Sequence, residues 1–508
     1  MKQVTGLTST YSSDTFGVCS ALYELGGMVV MHDASGCNST YTTHDEPRWY
    51  SMESMIYISA LSEKEAVMGD DEKLIRDVTE TALKLRPKFI ALAGAPIPFM
   101  TGTDFNAIAA LIERRTGIPA FGFDTNGMQG YLTGISMALA AVVKRFCRRN
   151  EEEAGRDTPR ESAEDPSAGS LKNLPGCKSD KDKKIMVNII GATPLDFSLN
   201  GSVESMEEWL AESGFTAGAC LAMGSSLEDI SSAGEADVNL VVSYGGLAAA
   251  RELEMRFGTP WIAGVPVGKV FAAELAEKVM EAAQKKLSGA GYIKGPEENS
   301  PFGARCAGFP GEGNAEDAKG STPFGARCAG SRGEGNTEGV KGNTPFGARC
   351  AASPGEGYMK DPEENSRGKS MSDYGQSASV QSSDKGSEVT EKVSSGESEY
   401  RREEAAFVGE SIFGGSLARA VELETGRPVR VLCPVETEDR FLRNGDLRTP
   451  EEDDLMRELS AASVVIADPL YQRICPPEAD FYPLRHVAFS GRLFEETDFN
   501  LINRKIVK

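Results

Sequence analysis

The sequence predicts an α/β protein built from three units, each a parallel sheet with helices packed against it. Short apolar runs end in glycine or proline, as in "GGMVVMH" and "KFIALAGAPIPF". Between these runs lie segments such as "DEKLIRDVTETALKLRP", in which apolar residues recur every three or four positions, as in an amphipathic helix. Alternation of strand, loop and helix implies parallel strands, whose following loops gather at one edge of the sheet, where ligands usually bind.

The three Rossmann-like units are predicted over residues 1–147, 184–286 and 405–508. In the first unit, Asp70 is expected to cap one helix, and Thr103 or Asp104 the next. Residues 148–183 are charged and rich in Pro, Ser and Gly, which is typical of a solvated linker. Strands such as "IMVNIIG" open the second unit, and "AAFVGESIFGG" opens the third.

Residues 287–404 are predicted to be a disordered, low-complexity insertion. The strings "PFGARCAG", "PFGARCAG" and "PFGARCAA" begin at Pro301, Pro323 and Pro345, a 22-residue repeat with too few aliphatic residues to bury a core. A metal or redox tract is the functional alternative. It is disfavoured because the repeats carry single cysteines without a CxxC pair; these cysteines are Cys306, Cys328 and Cys350.

The composition excludes several classes of partner. A net charge of −22 argues against nucleic acid and against anionic membranes, since both are bound by basic surfaces. No apolar run reaches the roughly 18 residues of a membrane span, and the first residues lack the apolar core of a signal peptide. We therefore expect a cytoplasmic protein whose ten cysteines are thiols or metal ligands rather than a disulfide framework.

Nucleotide-binding and hydrolytic motifs are missing. The string "GVPVGKV" (264–270) is the nearest to a Walker loop, but its glycine spacing is wrong and Val270 replaces the hydroxyl residue that binds Mg²⁺. No GxGxxG follows the first strand of any unit, and no GxSxG is present. If the reaction needs ATP, another subunit must supply it. A zinc site of His32, Cys37 and His44 is an alternative without the helical spacing of zinc motifs.

Redox chemistry fits the amino-terminal cysteines better. Cys37 follows the strand "GMVV" in the loop "HDASGCNSTY", and Cys19 lies near the start of a helix capped by Ser13 or Asp14. Helix N-termini stabilise the thiolate that binds iron. The alternative for Cys19 is a small buried residue on an Ala- and Leu-containing helix. Two cysteines supply half the ligands of a four-iron cluster, so a two-fold dimer would supply all four.

At this point the chain resembles the component 1 superfamily of nitrogenases and nitrogenase-like reductases. "HDASGC" is similar to that family's His-Gly-Pro-x-Gly-Cys loop, which would place Cys37 on a cluster ligand at the subunit interface. "LSEKEAVMGDDEKL", "GAPIPFMTGTDFNAIAALIERRTGIPAFGFDTNG", "RFGTPWIAGVPVG" and "ESIFGGSLAR" follow in the family's order across some 350 residues. The resemblance implies electrons from a separate ATP-binding iron protein and a substrate between the domains, as in the superfamily's tetrapyrrole reductases.

Departures from the family pattern narrow these expectations. The family's first and third interface cysteines fall at Ser13 and Ala95 in this chain, and a cofactor cysteine falls at Ser243, a poor iron ligand. We therefore expect a [4Fe–4S] cluster held by Cys19 and Cys37 of two identical or related subunits, and no iron–molybdenum cofactor. One alternative is a protein that keeps the fold and serves as a non-catalytic scaffold or carrier in cofactor assembly. Another is a protein that keeps the fold but has lost the cluster.

Two further residues are predicted to shape the cluster loop. His32 is expected to orient the loop by hydrogen bonding. Arg48 is expected to offer a positive charge to the anionic cluster, unless it pairs with Asp45 or Glu46.

Overall fold

The first sheet is a parallel sheet of four strands in the order β2-β1-β3-β4. In the computed structural model its strands are β1 Met28–His32, β2 Met55–Ile58, β3 Ile90–Gly94 and β4 Ala120–Phe123. Its helices are α1 Asp14–Leu22, α2 Glu63–Met68, α3 Glu72–Leu85, α4 Pro96–Thr101, α5 Phe105–Thr116 and α6 Tyr131–Phe146. The structure describes residues 13–34, 36, 46–148, 184–287 and 405–506.

The second sheet repeats this plan, with four parallel strands in the order β6-β5-β7-β8. The strands are β5 Met186–Ile190, β6 Thr216–Leu221, β7 Val238–Val241 and β8 Trp261–Ala263. The helices are α7 Pro194–Phe197, α8 Ser202–Glu212, α9 Leu227–Ser231, α10 Leu247–Phe257 and α11 Lys269–Leu287.

The third sheet has five parallel strands in the order β11-β10-β9-β12-β13. The strands are β9 Ala405–Val408, β10 Val429–Cys433, β11 Leu447–Arg448, β12 Val464–Ala467 and β13 Asp480–Pro483, and the helices are α12 Ser411–Thr425, α13 Glu452–Leu459 and α14 Val487–Ser490. The predicted fold class of three parallel-sheet α/β units is thus confirmed. The exact unit boundaries stay predictions, and the linker 148–183 and nearly all of the insertion 287–404 lie outside the described residues.

Each sheet reverses its strand order beside its first strand. β1 lies between β2 and β3, β5 between β6 and β7, and β9 between β10 and β12. The loops that leave the carboxyl ends on the two sides of such a reversal diverge, which opens a crevice where α/β proteins bind ligands. The first residues to examine are therefore those that follow the strands.

Local signals explain where the helices begin and end. Ser62 and Glu65 form a capping box at α2, which ends at Gly69 in the left-handed conformation (φ 64°). Of the two predicted candidates, Thr103 and Asp104, it is Asp104 that caps α5: its carboxylate accepts from the amide of Ala107. The other predicted cap is displaced by one residue: Asp71 occupies the N-cap of α3.

Helix α1 crosses α6 with the two backbones in contact. A Cβ on Gly17 would lie 2.0 Å from the carbonyl oxygen of Tyr131, and one on Gly134 would lie 1.9 Å from that of Asp14. Only glycine permits this approach. The crossing fixes α1 and the start of α6 relative to each other.

The three units share one continuous core, which includes buried residues from all three sheets. Two smaller clusters cover the other faces of the first and third sheets. No helix within the described ranges is long and apolar enough to cross a membrane.

Candidate functional site

The carboxyl edge of the first sheet gathers the positions that the sequence singled out. The Asp14 carboxylate accepts from the amides of Asn126 and Gly127 at 2.8 and 2.7 Å, and the Thr15 hydroxyl donates to the carbonyl of Gly94 at 2.6 Å. These bonds tie the start of α1 to the ends of β3 and β4. Ser13, the N-cap of α1, and Ala95, the N-cap of α4, therefore lie at the same edge.

His32 ends β1 at this edge and stays neutral. Its Nδ1 lies 2.7 Å from the Ser59 hydroxyl, which also accepts from the Asp33 amide at 3.2 Å. Burial, and to a smaller extent the nearby charge of Lys73, lowers the pKa of His32 to about 4. The imidazole thus joins the residues just after β1 to the chain after β2, and its role in orienting the Cys37 loop stays a prediction.

Cys19 does not lie where a thiolate would form. It is the sixth residue of the nine in α1, and its side chain is fully buried in the shared core. Burial raises the pKa of its thiol far above the ordinary value, and the charge of Glu46 adds to the rise. The stabilisation expected from a helix N-terminus therefore does not apply, and the position matches the alternative of a small buried residue.

Arg48 is occupied by protein partners rather than facing an open site. Its guanidinium pairs with Glu46 at 2.7 Å and with Glu24 at 2.9 Å, and it donates to the carbonyls of Ser20 at 2.8 Å and Ala222 at 3.2 Å. Its side chain is only 2% exposed. The pairing with Glu46 foreseen as the alternative is what the structure contains. Arg48 anchors the chain that returns from the Cys37 loop to α1 and to the second unit.

The described residues at this edge do not fit a [4Fe–4S] cluster. Such a cluster takes four cysteine thiolates. Ser13 and Ala95 carry no sulfur, Cys19 is buried as a neutral thiol, and no group of three His, Cys, Asp or Glu among the described residues is placed to hold a metal. Cys37 and His44 lie outside the described residues, as do Cys306, Cys328 and Cys350.

A second site lies where the three units meet, and we call it the junction: Tyr131, Asp196, Glu410, Glu436 and His486. The Asp196 carboxylate is 3% exposed, and its Oδ1 accepts from the Tyr131 hydroxyl at 2.6 Å. The same oxygen lies 3.2 Å from Nε2 of His486. One carboxylate of the second unit thus binds a phenol of the first and an imidazole of the third.

Two glutamates of the third unit complete the junction. Glu410, the N-cap of α12, accepts from the amide of Phe413 at 2.8 Å and from that of Tyr244 at 3.1 Å. Burial raises its pKa to about 7, and the negative charge of Asp196 contributes to the rise. Glu436 accepts from the amide of Gly130 at 2.7 Å. The junction therefore holds a carboxyl group that carries a proton up to neutral pH.

Ser243 lies beside the junction, fully buried, and its hydroxyl accepts from the Gly245 amide at 3.3 Å. The next residue, Tyr244, donates its amide to Glu410. An oxygen engaged with the backbone is a poor substitute for the sulfur that the family pattern places at this position.

Little free space adjoins the junction. A cavity of about 30 Å³ adjoins it, lined by residues that include Asp196, Ser198, Phe413, Arg485, His486 and Asp498. This volume holds one or two water molecules. This cavity is smaller than the substrate between the domains that the resemblance leads us to expect.

Sequence reasoning missed the acidic members of this site. Asp196 follows β5, Glu410 follows β9, Glu436 follows β10 and His486 follows β13, each within six residues of the strand end. The available signal was thus an ionisable residue after the carboxyl end of a strand. What the sequence could not supply was the orientation of three sheets toward one point.

These features are those of a three-unit α/β protein with ionisable residues gathered at the carboxyl ends of its parallel strands. The family described as Nitrogenase component 1 type Oxidoreductase matches residues 13–298, more than half of the 508-residue chain. The chain belongs to this family of nitrogenase-like oxidoreductases.

Individual relatives match shorter stretches. The nitrogenase iron-molybdenum cofactor biosynthesis protein NifE of Clostridium pasteurianum is 25% identical over 238 residues, which cover 46% of this chain and 45% of the relative. A light-independent protochlorophyllide reductase subunit of Nostoc punctiforme is 35% identical over 102 residues, 20% of each chain. The nitrogenase molybdenum-iron protein alpha chain of Clostridium pasteurianum is 22% identical over 208 residues, 41% of this chain and 33% of the relative.

A solved structure described as nitrogenase Cp1 at pH 5 aligns with a TM-score of 0.41 at 18% identity, covering 57% of this chain and 56% of that one. The matches to the curated relatives span less than half of those relatives' lengths.

Proposed function

We propose that this chain is a subunit of a nitrogenase component 1-like reductase that takes electrons from an ATP-dependent iron protein and reduces a small molecule or a tetrapyrrole-like substrate. The observation that carries the proposal is the junction. Reductions of this kind consume protons as well as electrons, and the junction collects a carboxyl group with a pKa of about 7 (Glu410), a phenol and an imidazole. Ser243 supplies no sulfur, so the proposal includes no iron–molybdenum cofactor.

A separate ATP-binding partner is supported by the contacts of the "GVPVGKV" segment. The Lys269 amide, at the start of α11, donates to the Glu424 carboxylate at 3.1 Å, and a second oxygen of that carboxylate accepts from the Ile506 amide at 3.0 Å. The position a phosphate would take at a Walker loop is thus filled by a carboxylate, which would repel it. This segment is therefore unsuited to the phosphates of ATP, which supports a partner protein that binds the nucleotide.

A second component 1 chain, identical or related, is proposed to bind at the carboxyl edge of the first sheet. Apolar side chains are exposed there on α2, on α4 and after β4, all of which follow strand ends: Val67 (79%), Met68 (71%), Phe99 (54%), Met100 (75%) and Met128 (64%). Grouped exposed apolar residues are typical of protein–protein contacts. The Cys37 loop leaves β1 at the same edge.

The prediction of a [4Fe–4S] cluster at the carboxyl edge of the first sheet depends on Cys37, since Cys19 would have to leave the core to reach iron. We therefore assign no electron-transfer step to it. The second candidate function is a scaffold or carrier in cofactor assembly, favoured by the small cavity beside the junction and by the buried Cys19 thiol.

Iron content tests the cluster. A cluster held through Cys37 would make anaerobically purified protein brown, with iron lost in Cys37→Ser and retained in the control Cys475→Ser, whose thiol is half-buried. The iron content of Cys19→Ser shows whether the Cys19 thiol also binds iron. Colourless, iron-free wild-type protein would eliminate a cluster-dependent reductase.

Partner-dependent ATP hydrolysis separates the two functions. A reductase subunit should form a complex with the Walker-loop iron protein of the same organism and stimulate its ATP hydrolysis. Stable binding of a tetrapyrrole or metal cluster without any ATP hydrolysis would instead support the scaffold.

A further inference from the structure

A cavity of about 790 Å³ lies at the amino ends of β1 and β2. We call it the amino-edge cleft, and its lining includes Tyr23, Glu24, Trp49, Tyr50, Glu53 and Tyr57. Its volume is within the range of cavities that hold small organic ligands. The junction lies at the carboxyl ends of strands instead, so the cleft is separate from the site of the proposed function.

Hydrogen bonds hold the walls of the cleft in place. The hydroxyl of Tyr23, the residue directly after α1, donates to the carbonyl of Met52 at 3.3 Å, and the Ser54 hydroxyl donates to the carbonyl of Tyr23 at 3.3 Å. The amide of Met52 also donates to the carbonyl of Arg48 at 2.9 Å. These bonds fix residues 49–54 against the end of α1, and a site formed before its ligand arrives costs less to occupy.

Aromatic side chains of the cleft are open to solvent. Tyr50 is 73% exposed, Tyr57 on the outermost strand β2 is 40% exposed, and Trp49 is half-buried. Exposed apolar surface that is grouped around a cavity is typical of a binding site.

The charges in the cleft are negative. The charged side chains among its described lining residues are two carboxylates, Glu24 and Glu53. Oε1 of Glu24 pairs with Arg48 at 2.9 Å, and Oε2 accepts from the amide of Gly224 at 2.8 Å, whereas Glu53 is exposed. A ligand would therefore meet the Glu53 carboxylate, which repels anions and attracts cations, as does the net charge of −22.

Two arginines of the chain show which cation these rings attract. The guanidinium carbon of Arg48 lies 4.5 Å from the centre of the Tyr23 ring, and that of Arg492 lies 6.0 Å from the centre of the Tyr50 ring. A cation over an aromatic face is attracted by the electrons of the ring. A guanidinium suits such a place better than an ammonium, because it is planar, weakly hydrated and able to form paired bonds with a carboxylate.

We infer that the amino-edge cleft binds a guanidinium group on an apolar stem, with the cation at Glu53 and the stem against Trp49 and Tyr57. A small alkylguanidine and an arginine side chain of another protein both carry this chemistry, and the experiment below distinguishes them. The inference does not depend on the proposed function, since the cleft contains none of the residues of the junction.

Titration of the full chain with butylguanidinium, followed by tryptophan fluorescence and by calorimetry, tests the site. The sequence has three tryptophans, and Trp209 and Trp261 are each only 2% exposed. A ligand in the cleft should therefore change the emission of Trp49. We expect a saturable change that butylurea, which has nearly the same shape but no charge, does not produce. Trp49→Phe should remove the fluorescence change while calorimetry still detects binding.

Two substitutions test the assigned contacts. Glu53→Gln should weaken the binding of butylguanidinium about fivefold, the upper end for an exposed ion pair. Tyr57→Leu keeps an apolar side chain but removes the aromatic face, and it should weaken binding about two- to fivefold. The control Glu80→Gln removes an exposed carboxylate of α3 outside the cleft and should leave the affinity unchanged.

The peptide acetyl-Gly-Arg-Gly-amide distinguishes the two sources of the guanidinium. Binding at least about tenfold tighter than that of butylguanidinium would identify a protein partner that inserts an arginine, and weaker binding than this would identify a small guanidinium compound. The inference is overturned if neither probe binds saturably, if butylurea binds as tightly as butylguanidinium, or if Glu53→Gln keeps full affinity. Failure of the reductase complex to hydrolyse ATP would leave each of these results unchanged.

Discussion

The carboxyl edge of the first sheet and the three-unit junction differ in how completely their buried polar groups are hydrogen-bonded. At the first edge, Asp14 accepts from two amides, His32 is bonded to Ser59 and Arg48 is surrounded by carboxylates and carbonyls. At the junction, Asp196 and Glu436 each leave one oxygen unpaired among the described residues. Fully paired polar networks stabilise one conformation, whereas unpaired groups are available for chemistry. The first edge is therefore held by paired polar groups, whereas the junction has carboxylate oxygens without a partner among the described residues.

The two sites should also respond to pH in opposite directions. The first contains a base that burial keeps neutral, and the second an acid that burial keeps protonated. Acidification should therefore weaken the first region and alkalinisation the second.

The largest effect is expected for Arg48→Met. The change removes the cation that lies 2.7 Å from the fully buried Glu46 carboxylate, which should lower the free energy of unfolding by about 3–5 kcal/mol in urea titrations. Adding Glu46→Gln should restore much of the loss. Arg76→Met, in a half-exposed pair, is the control and should change it by less than about 0.5 kcal/mol. An Arg48→Met protein as stable as the control would mean that the edge is not held by this network.

His32→Asn should change the pH dependence of stability. The pKa of His32 is 6.5 when unfolded and about 4 when folded, so the wild type loses stability as the pH falls from about 6.5 to 4. A pKa difference of about 2.5 units, at about 1.4 kcal/mol each, gives a loss of about 3–4 kcal/mol. In urea titrations across that pH range, the free energy of unfolding of His32→Asn should not show this decrease. Parallel wild-type and variant curves would contradict the buried neutral ring.

Glu410→Gln should produce the opposite pH effect. The folded state holds the Glu410 proton with a pKa of about 7 against 4.5 in the unfolded chain, so wild-type stability falls as the pH rises from about 4.5 to 7. The neutral amide of Glu410→Gln should remove about 2 kcal/mol of this pH-dependent loss of stability. The whole loss is not removed because part of the pKa shift comes from the charge of Asp196. The measurement is the wild-type minus variant difference at several pH values. A difference independent of pH would show that Glu410 is ionised throughout.

Tyr131→Phe should have the smallest effect, about 1 kcal/mol, because it removes one donor from Asp196 but keeps the packed ring. Thermal or urea unfolding checks it against Tyr57→Phe on the half-exposed edge strand β2, which should change nothing. Equal effects of the two variants would mean that the Tyr131 hydroxyl does not support the carboxylate.

The local elements could be predicted from the amino-acid sequence, because their signals lie within a few residues of one another. Continuous apolar runs specified the buried strands β1 and β3, and Asp104 specified the start of α5. The order of these elements also specified three parallel sheets with loops at their carboxyl edges.

Which side chains are available for chemistry depends instead on how the elements pack. Cys19 is in the core because α1 packs against α6 through Gly17 and Gly134, a contact between residues more than a hundred positions apart. Arg48 is paired because Glu24 and Ala222 are brought to it, and the junction joins residues from Tyr131 to His486. Burial, pairing and the resulting pKa shifts depend on distances across the folded chain, and no local pattern encodes those distances.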